Sequence, residues 1–450
     1  MSADSGLLTL SSASPIPDGT VQSVSVNTRL SIDPESSAQH NPNYAGANLF
    51  PGSVVGRAPW IFPLNLFGWA HVTDYCGSVY CTSYGEQGSI LQYGDAGHSA
   101  GGPSIWARYD VATAQWTLVG RALPTDSLQS YVAGSNPPAT RFDHTWGDWI
   151  GGSNDWPIGW RQPGFNPPAG SHTRSSFFYR PPRKAGNLAG QVVATWQPTG
   201  KNGGTGCGGS FYFDLDSGLW HRTRNLRPNA GSSQESIYYE PNDIALAVVM
   251  EFSHFADAVY VLDCATMTWS KRPVTGSVPW VISDSTQFIC GGLLVVVIET
   301  TAANDVEPMA FFAMPIEAIV SGIGMRWTKL KINAASYPVS PMDGIIRAMS
   351  ISWNRFSDGH FYATNLGYSP HTLWKLIPPA GNDVDKLLGT WLIGTQVLVG
   401  DEISRSSRDF SRLQYVPAID SFLWTGDDIG GPVQAIRPRK TLSAPTGLAR

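Results

Sequence analysis

Charge is scarce in this chain. Acidic and basic residues together make up 14% of its 450 positions, and the net charge is only -5; about 25% charged is usual. That excludes a charge-driven disordered chain and a coiled coil. It also argues against a nucleic-acid binder working through bulk electrostatics. Cysteine is sparse too: Cys76, Cys81, Cys207, Cys264 and Cys290 form an odd set with no C-x-x-C. A disulfide scaffold is excluded for so long a chain. Buried free thiols are the ordinary reading, with a Cys76–Cys81 bridge across a hairpin open in an oxidising setting. Long apolar runs are missing as well. Ala245–Met250 and Leu293–Ile298 fall far short of a bilayer span, and MSADSGLLTL lacks the positive segment and apolar stretch of a secretory signal. The expectation is a chain with no membrane insertion and no obvious Sec route.

Turn formers and tryptophan are what the sequence has in quantity. It holds 47 Gly, 33 Pro and 17 Trp, so turns are frequent and long helices excluded. All-β chains of this length often form one domain. A repeat fixes the architecture further. Arg108–Trp116, Tyr212–Trp220 and Val261–Trp269 align without gaps, each placing an Asp (Asp110, Asp214, Asp263) six residues before a Trp (Trp116, Trp220, Trp269). The physical reading is a β-hairpin whose Asp caps a turn of small polar residues. The Trp then opens the next strand and covers the sheet below. Weaker copies place Trp327 and Trp374, with Trp-to-Trp distances along the series of 104, 49, 58 and 47 residues. The first distance is double the rest, so a degenerate unit is expected between residues 120 and 200. A second recurrent piece, Ile237–Leu246 and Leu413–Phe422, shares an aromatic, a Pro two residues on and an apolar strand. Ser350–Phe361 is the same strand–turn–strand without the Pro.

A period near 50 residues of short strands predicts propeller blades of four strands each. The expected fold is therefore all-β: a single β-propeller over residues 46–431, with seven blades, or six as the alternative. Residues 1–45 read as an N-terminal arm that contributes, in part, the ring-closing strand. Residues 432–450, with Arg437, Arg439, Lys440 and Arg450, read as a basic tail. Asn154–Gly170 and Arg180–Gly204 read as long loops on one face.

The aromatic–Asp–Trp spacing and the pairs Gly101-Gly102 and Gly208-Gly209 resemble kelch-type blades, the architecture also of the galactose-oxidase-like group. The stretch Gln92–Asp110, with His98 in its Gly-rich turn, is similar to an opening blade of bacterial and phage kelch-like proteins. The resemblance implies fold far more than function.

Local chemistry is thin. None of the nine histidines pairs at metal-ligand spacing, and His98 is expected to fix its turn. No motif assigns the Cys–Tyr and His set that a copper radical oxidase would need, so no cofactor and no metal is expected. The nearest match to a sialidase Asp box, Ser153–Trp160, carries Trp156-Pro157 where the turn needs other residues. Neither G-x-S-x-G nor a P-loop occurs. One patch stands out: Trp146, Trp149, Trp156 and Trp160 interleaved with Asp148 and Asp155. Trp faces stack on sugar rings while carboxylates bind hydroxyls; equally, Trp can cover blade edges.

The main expectation is a non-enzymatic structural or interaction propeller, a bacteriophage virion protein of the tail or tail nozzle. Its partners would be copies of itself and neighbouring virion proteins, with no specific nucleic acid. The alternatives are a glycan- or receptor-binding propeller using the aromatic patch, and a sialidase- or oxidase-type enzyme.

Overall fold

The computed structural model describes residues 16–24, 77–94, 105–118, 176–195, 210–223, 236–248, 254–255, 257–276, 280–281, 286–299, 309–333, 352–364, 371–403, 412–425 and 433–439. Strand β1 (Thr20–Ser23) comes first. The first blade is β2 (Ser78–Cys81), β3 (Ser89–Gly94), β4 (Ile105–Asp110) and β5 (Gln115–Leu118). The second is β6 (Phe177–Arg180), β7 (Gln191–Ala194), β8 (Phe211–Asp214) and β9 (Leu219–Arg222), with the short helix α1 (Pro182–Ala185) after β6. In the third, β10 (Ile237–Tyr239) and β11 (Ile244–Val248) precede β13 (Ala258–Asp263) and β14 (Thr268–Pro273). A separate ribbon joins β12 (His254–Phe255) to β15 (Trp280–Val281).

The fourth blade is β16 (Thr286–Cys290), β17 (Leu293–Glu299), β18 (Met309–Pro315) and β19 (Thr328–Lys329), with α2 (Ile316–Ser321) between the last two. After it, β20 (Lys331–Asn333) crosses to the fifth blade, whose own strands are β21 (Asn354–Arg355), β22 (Phe361–Thr364), β23 (Thr372–Ile377) and β24 (Thr390–Val397). Helix α3 (Val384–Leu387) precedes β24. β20 pairs in parallel with β24. Next, β25 (Val399–Gly400) leads to the sixth blade, β26 (Leu413–Val416), β27 (Ser421–Trp424) and β28 (Gln434–Arg437). Its fourth strand is β1, antiparallel to β28, with β25 lying parallel beside it.

The first strands line the axis: β2 touches β6 and β26, β6 touches β10, β10 touches β16, and β21 touches β26. The ring has six blades, which corrects the expectation of seven. β2 and β6 are direct neighbours, so no blade stands between the first and the second. Dividing chain length by the repeat period counted the length between β5 and β6 as a unit.

The Asp turns form as the repeat predicts. Asp110 Oδ1 accepts the Thr113 amide at 3.0 Å, Asp214 Oδ1 the Ser217 amide at 2.9 Å, and Asp263 Oδ1 the Ala265 amide at 2.9 Å. The three Trp stand at one position of the fourth strand, opposite Tyr109, Phe213 and Leu262. Trp269 is buried and donates its indole N–H to Ser210 Oγ of the second blade at 3.0 Å.

The weaker copies differ. Trp327 precedes β19 as expected, but α2 replaces the Asp turn. Trp374 lies on β23, a third strand, and the fifth blade's match to Trp269 is Trp391 on β24, reached through α3. Both Pro-bearing copies form as strand, 3-10 turn and strand, with Asp243 and Asp420 in the left-handed region at φ 53° and 46°. Gln434–Arg437, read from sequence as tail, are β28. Within the Arg180–Gly204 stretch, read as loop, Pro182–Ala185 form α1 and Gln191–Ala194 form β7.

The core is a set of seams between blades. Phe178 and Val193 of the second blade pack on Ala245, Tyr260 and Trp269 of the third. Ile90 and Tyr109 of the first pack on Val416, Leu423 and Ala435 of the sixth. Alternate residues of each strand serve opposite seams, so nearly every second and third strand is buried on both faces.

Candidate functional site

In a four-stranded antiparallel blade, the links from first to second and from third to fourth strand share one end. The other links share the opposite end. Here the two faces differ sharply. On the turn face, links are described throughout and mostly short, as at 82–88, 181–190, 240–243, 291–292 and 417–420; the two longer ones, 316–327 and 378–389, carry α2 and α3. On the opposite face the connections between blades depart, as at 24–77, 119–176, 224–236, 334–353 and 401–412, together with 195–210 and 300–308 within blades. The β12–β15 ribbon also stands on this loop face, since its strands lie in two such connections of the third blade.

Three buried or half-buried carboxylates of the turn face are already taken. Asp243 accepts the Tyr238 hydroxyl at 2.7 Å and binds Arg180 of the second blade through two bonds, at 2.9 and 2.7 Å. Asp420 accepts from Ser357 at 2.7 Å, Tyr415 at 3.1 Å and Arg437 at 2.9 Å. Asp358 accepts the Tyr362 hydroxyl at 2.8 Å, faces His360 Nδ1 at 3.0 Å and pairs with buried Lys375 at 3.4 Å. Burial alone would raise the Asp358 carboxyl, but the hydrogen bonds from His360 and Tyr362 hold it down at about 2. Burial likewise pushes the Tyr238 and Tyr362 phenols well up. These groups are locked into seams and turns, and are unsuited to acid–base exchange with a ligand.

At the loop-face ends of the strands the pattern reverses. Gln92 is 2% exposed, yet neither atom of its amide has a partner among the described residues. Trp353 Nε1, His371 Nδ1 and Gln396 Oε1 are buried in the same condition. Trp353 and His371 stand at the loop-face start of β21 and β23, and Gln396 near the loop-face end of β24. Arg412, wholly buried, opens β26 on that face. On the turn face Gln87 Oε1 shares the orphan condition.

The aromatic patch, Trp146, Trp149, Trp156, Trp160, Asp148 and Asp155, lies outside the described residues, as do His98, Cys76 and Cys207. The repeat positions Asp110, Trp116, Asp214, Trp220, Asp263 and Trp269 serve turns and strands on or near the turn face and bring no chemistry to the loop face. Sequence reasoning missed the orphaned polar groups because Gln92, Trp353, His371 and Gln396 come from two blades and share no local spacing. Among the described residues no group of His, Cys, Asp and Glu has metal-holding geometry, and no helix is long and apolar enough to cross a membrane.

No protein-family model matches the chain, and no curated protein does. Among solved structures it is similar to an alpha-L-arabinanase of Penicillium chrysogenum complexed with arabinobiose, at 10% identity and TM-score 0.40, over 81% of this chain and 94% of that one. It is similar to an alpha-L-arabinofuranosidase of Fusarium graminearum bound to an iminosugar inhibitor, at 8% identity and TM-score 0.41, over 83% and 94%. A third is an auxiliary nutrient binding protein of Bacteroides thetaiotaomicron, at 10% identity and TM-score 0.38, over 81% and 84%. Two of these three are glycosidases, and the expectation of a non-enzymatic protein is corrected on that finding. That expectation rested in part on the missing local motif, but groups converging from separate blades leave no sequence spacing. At such identities the likeness is one of architecture, and the six-bladed β-propeller stands on the chain's own sheets.

Proposed function

We propose that this chain is a glycan-related propeller that takes its ligand on the loop face. The gathering of the between-blade connections on that face carries the reading, because a rigid scaffold that presents loops at one end is how ring folds build sites. The connection from β5 to β6 begins and ends there, and its sequence holds Trp146, Trp149, Trp156 and Trp160 with Asp148 and Asp155. Aromatic faces suit the apolar faces of sugar rings, and carboxylates suit their hydroxyls. On the turn face Asp110, Asp243, Asp358 and Asp420 are held in ion pairs. A virion role has no support from a described residue.

The test is binding and turnover together. Arabinobiose, the ligand in the Penicillium structure, is the first probe, followed by a panel of neutral and acidic oligosaccharides. Calorimetry reports binding and release of reducing sugar reports hydrolysis. Trp149→Ala and Trp156→Ala should weaken any binding about ten-fold or more, while Arg183→Ala on the turn face should leave it unchanged. If no glycan across the panel is bound or cleaved, or if the turn-face change is the one that matters, the reading fails.

A further inference from the structure

The chain crosses from the sixth blade to the first only through the connection after β1. The seam between those blades is otherwise held by side chains and by residues 16–24. Ile16, Val21 and Val24 of that short segment are buried, and both of its ends are fastened. At the first end, Arg437 donates through Nη1 to the Ile16 carbonyl at 3.0 Å and pairs through Nε with Asp18 at 2.8 Å. At the other, Asp401 Oδ2 accepts both the amide and the hydroxyl of Ser23 at 2.8 Å.

Between the fasteners the backbone is bonded on two sides. Gly19 and Val24 donate to Arg437 and Val433, at 2.7 and 2.8 Å. Val399 and Asp401 donate back to Gly19 and Val21, at 2.9 and 3.1 Å. Gly400, at φ 106°, lets the Val21 carbonyl approach where any Cβ would collide. Tyr109 of the first blade reaches the Val24 carbonyl with its hydroxyl at 3.1 Å. One nine-residue piece therefore touches the fifth-to-sixth connection, the sixth blade and the first.

We propose that residues 16–24 are a keyed latch that opens and closes as one unit while the blades stay folded. All of its fastening is non-covalent, and its contacts are made by side chains and backbone that belong to already paired strands. Opening it costs the bonds above and leaves β26, β27 and β28 still paired with one another, which is the condition for a local unit below global unfolding. The latch also fits only one sequence register, because Asp18, Ser23 and the pressed Val21 carbonyl must meet Arg437, Asp401 and Gly400 together.

Hydrogen exchange on the full chain reads this directly. The amides of Gly19, Val24, Val399 and Asp401 should exchange together, at least ten-fold faster than those of β27. Exchange at unrelated rates, or only with the whole ring, overturns the proposal. A second measurement uses the full chain carrying a protease recognition sequence between residues 40 and 60, cut after folding. The N-terminal piece should stay bound through size exclusion, and a labelled peptide of residues 14–26 should replace it over time. Arg437→Met in the cut chain should shorten its residence about ten-fold. Immediate loss of the piece, unfolding of the cut chain, or failure of the peptide to enter would each overturn the latch.

Discussion

Gln414 and Tyr80 meet across the seam where the sixth blade closes on the first, the Tyr80 amide donating to Gln414 Oε1 at 3.2 Å. The same side chain donates through Nε2 to the Ser78 carbonyl at 3.2 Å. Gln287 does likewise between the fourth and third blades, taking the Val248 amide at 3.4 Å and giving to the Leu246 carbonyl at 3.0 Å. Among the described residues neither of these two seams has a backbone ladder, so a side-chain amide supplies one rung. Gln414→Leu should strand two buried backbone groups and lower stability by roughly 2–4 kcal/mol. Calorimetry on Gln414→Leu and Gln287→Leu checks this; an unchanged melting temperature in both would show that apolar packing alone holds the seams.

The Arg180–Asp243 pair predicts an ordered series. Asp243 sits at φ 53°, a conformation that Asn tolerates and Ala resists. Asp243→Asn removes the charge that meets a mostly buried guanidinium and should cost about 3 kcal/mol. Asp243→Ala adds backbone strain and should cost more. Urea denaturation decides it: equal midpoints for the two variants would contradict the conformational part of the argument.

Acid stability should depend on Asp358. Its folded carboxyl sits at about 2, below the roughly 3.9 of an unfolded aspartate, so the unfolded chain binds more protons between those values. The group therefore contributes stability above pH ~4, on the order of 2 kcal/mol, which disappears as pH falls toward 2. Asp358→Asn should flatten that part of the curve of unfolding free energy against pH. A variant curve parallel to the wild type from pH 4 to 2 would refute the assignment.

The three described thiols should be inert in the folded chain. Cys81, Cys264 and Cys290 are buried, and burial pushes each thiol up, Cys290 to about 11. Little thiolate exists near neutrality to attack a reagent. Peptide mapping after maleimide treatment should find these three unlabelled until denaturant is added; rapid native labelling of Cys264 would contradict the burial.

Much of the ring could be read from sequence because its signal is local. Asp110, Asp214 and Asp263 cap their own turns within three residues, and the Trp that follows each falls at one strand position. The reading failed where a helix took over the same turn. In the fifth blade α3 lengthens the link, moving the matching Trp from the expected Trp374 to Trp391. The blade count failed for a related reason, since the length between β5 and β6 was counted as a blade although β2 and β6 are neighbours. The loop face was least legible. Its buried Gln92, Trp353, His371 and Gln396 are ordinary strand-end residues in sequence, and only the ring brings those ends to one side.

The extra strands β20 and β25 give the ring a mechanical polarity. Each leaves the outermost strand of one blade and lies along that of the next, so the fourth and fifth blades are stitched by backbone bonds, and the fifth and sixth likewise while β1 is seated. Parting them means shearing a short ladder with all its bonds loaded at once. Among the described residues, no such stitch joins the first three blades, whose seams peel one side chain at a time. Once residues 16–24 have opened, heat or force should therefore part the blades first on the side of the ring where the connection from β5 to β6 departs.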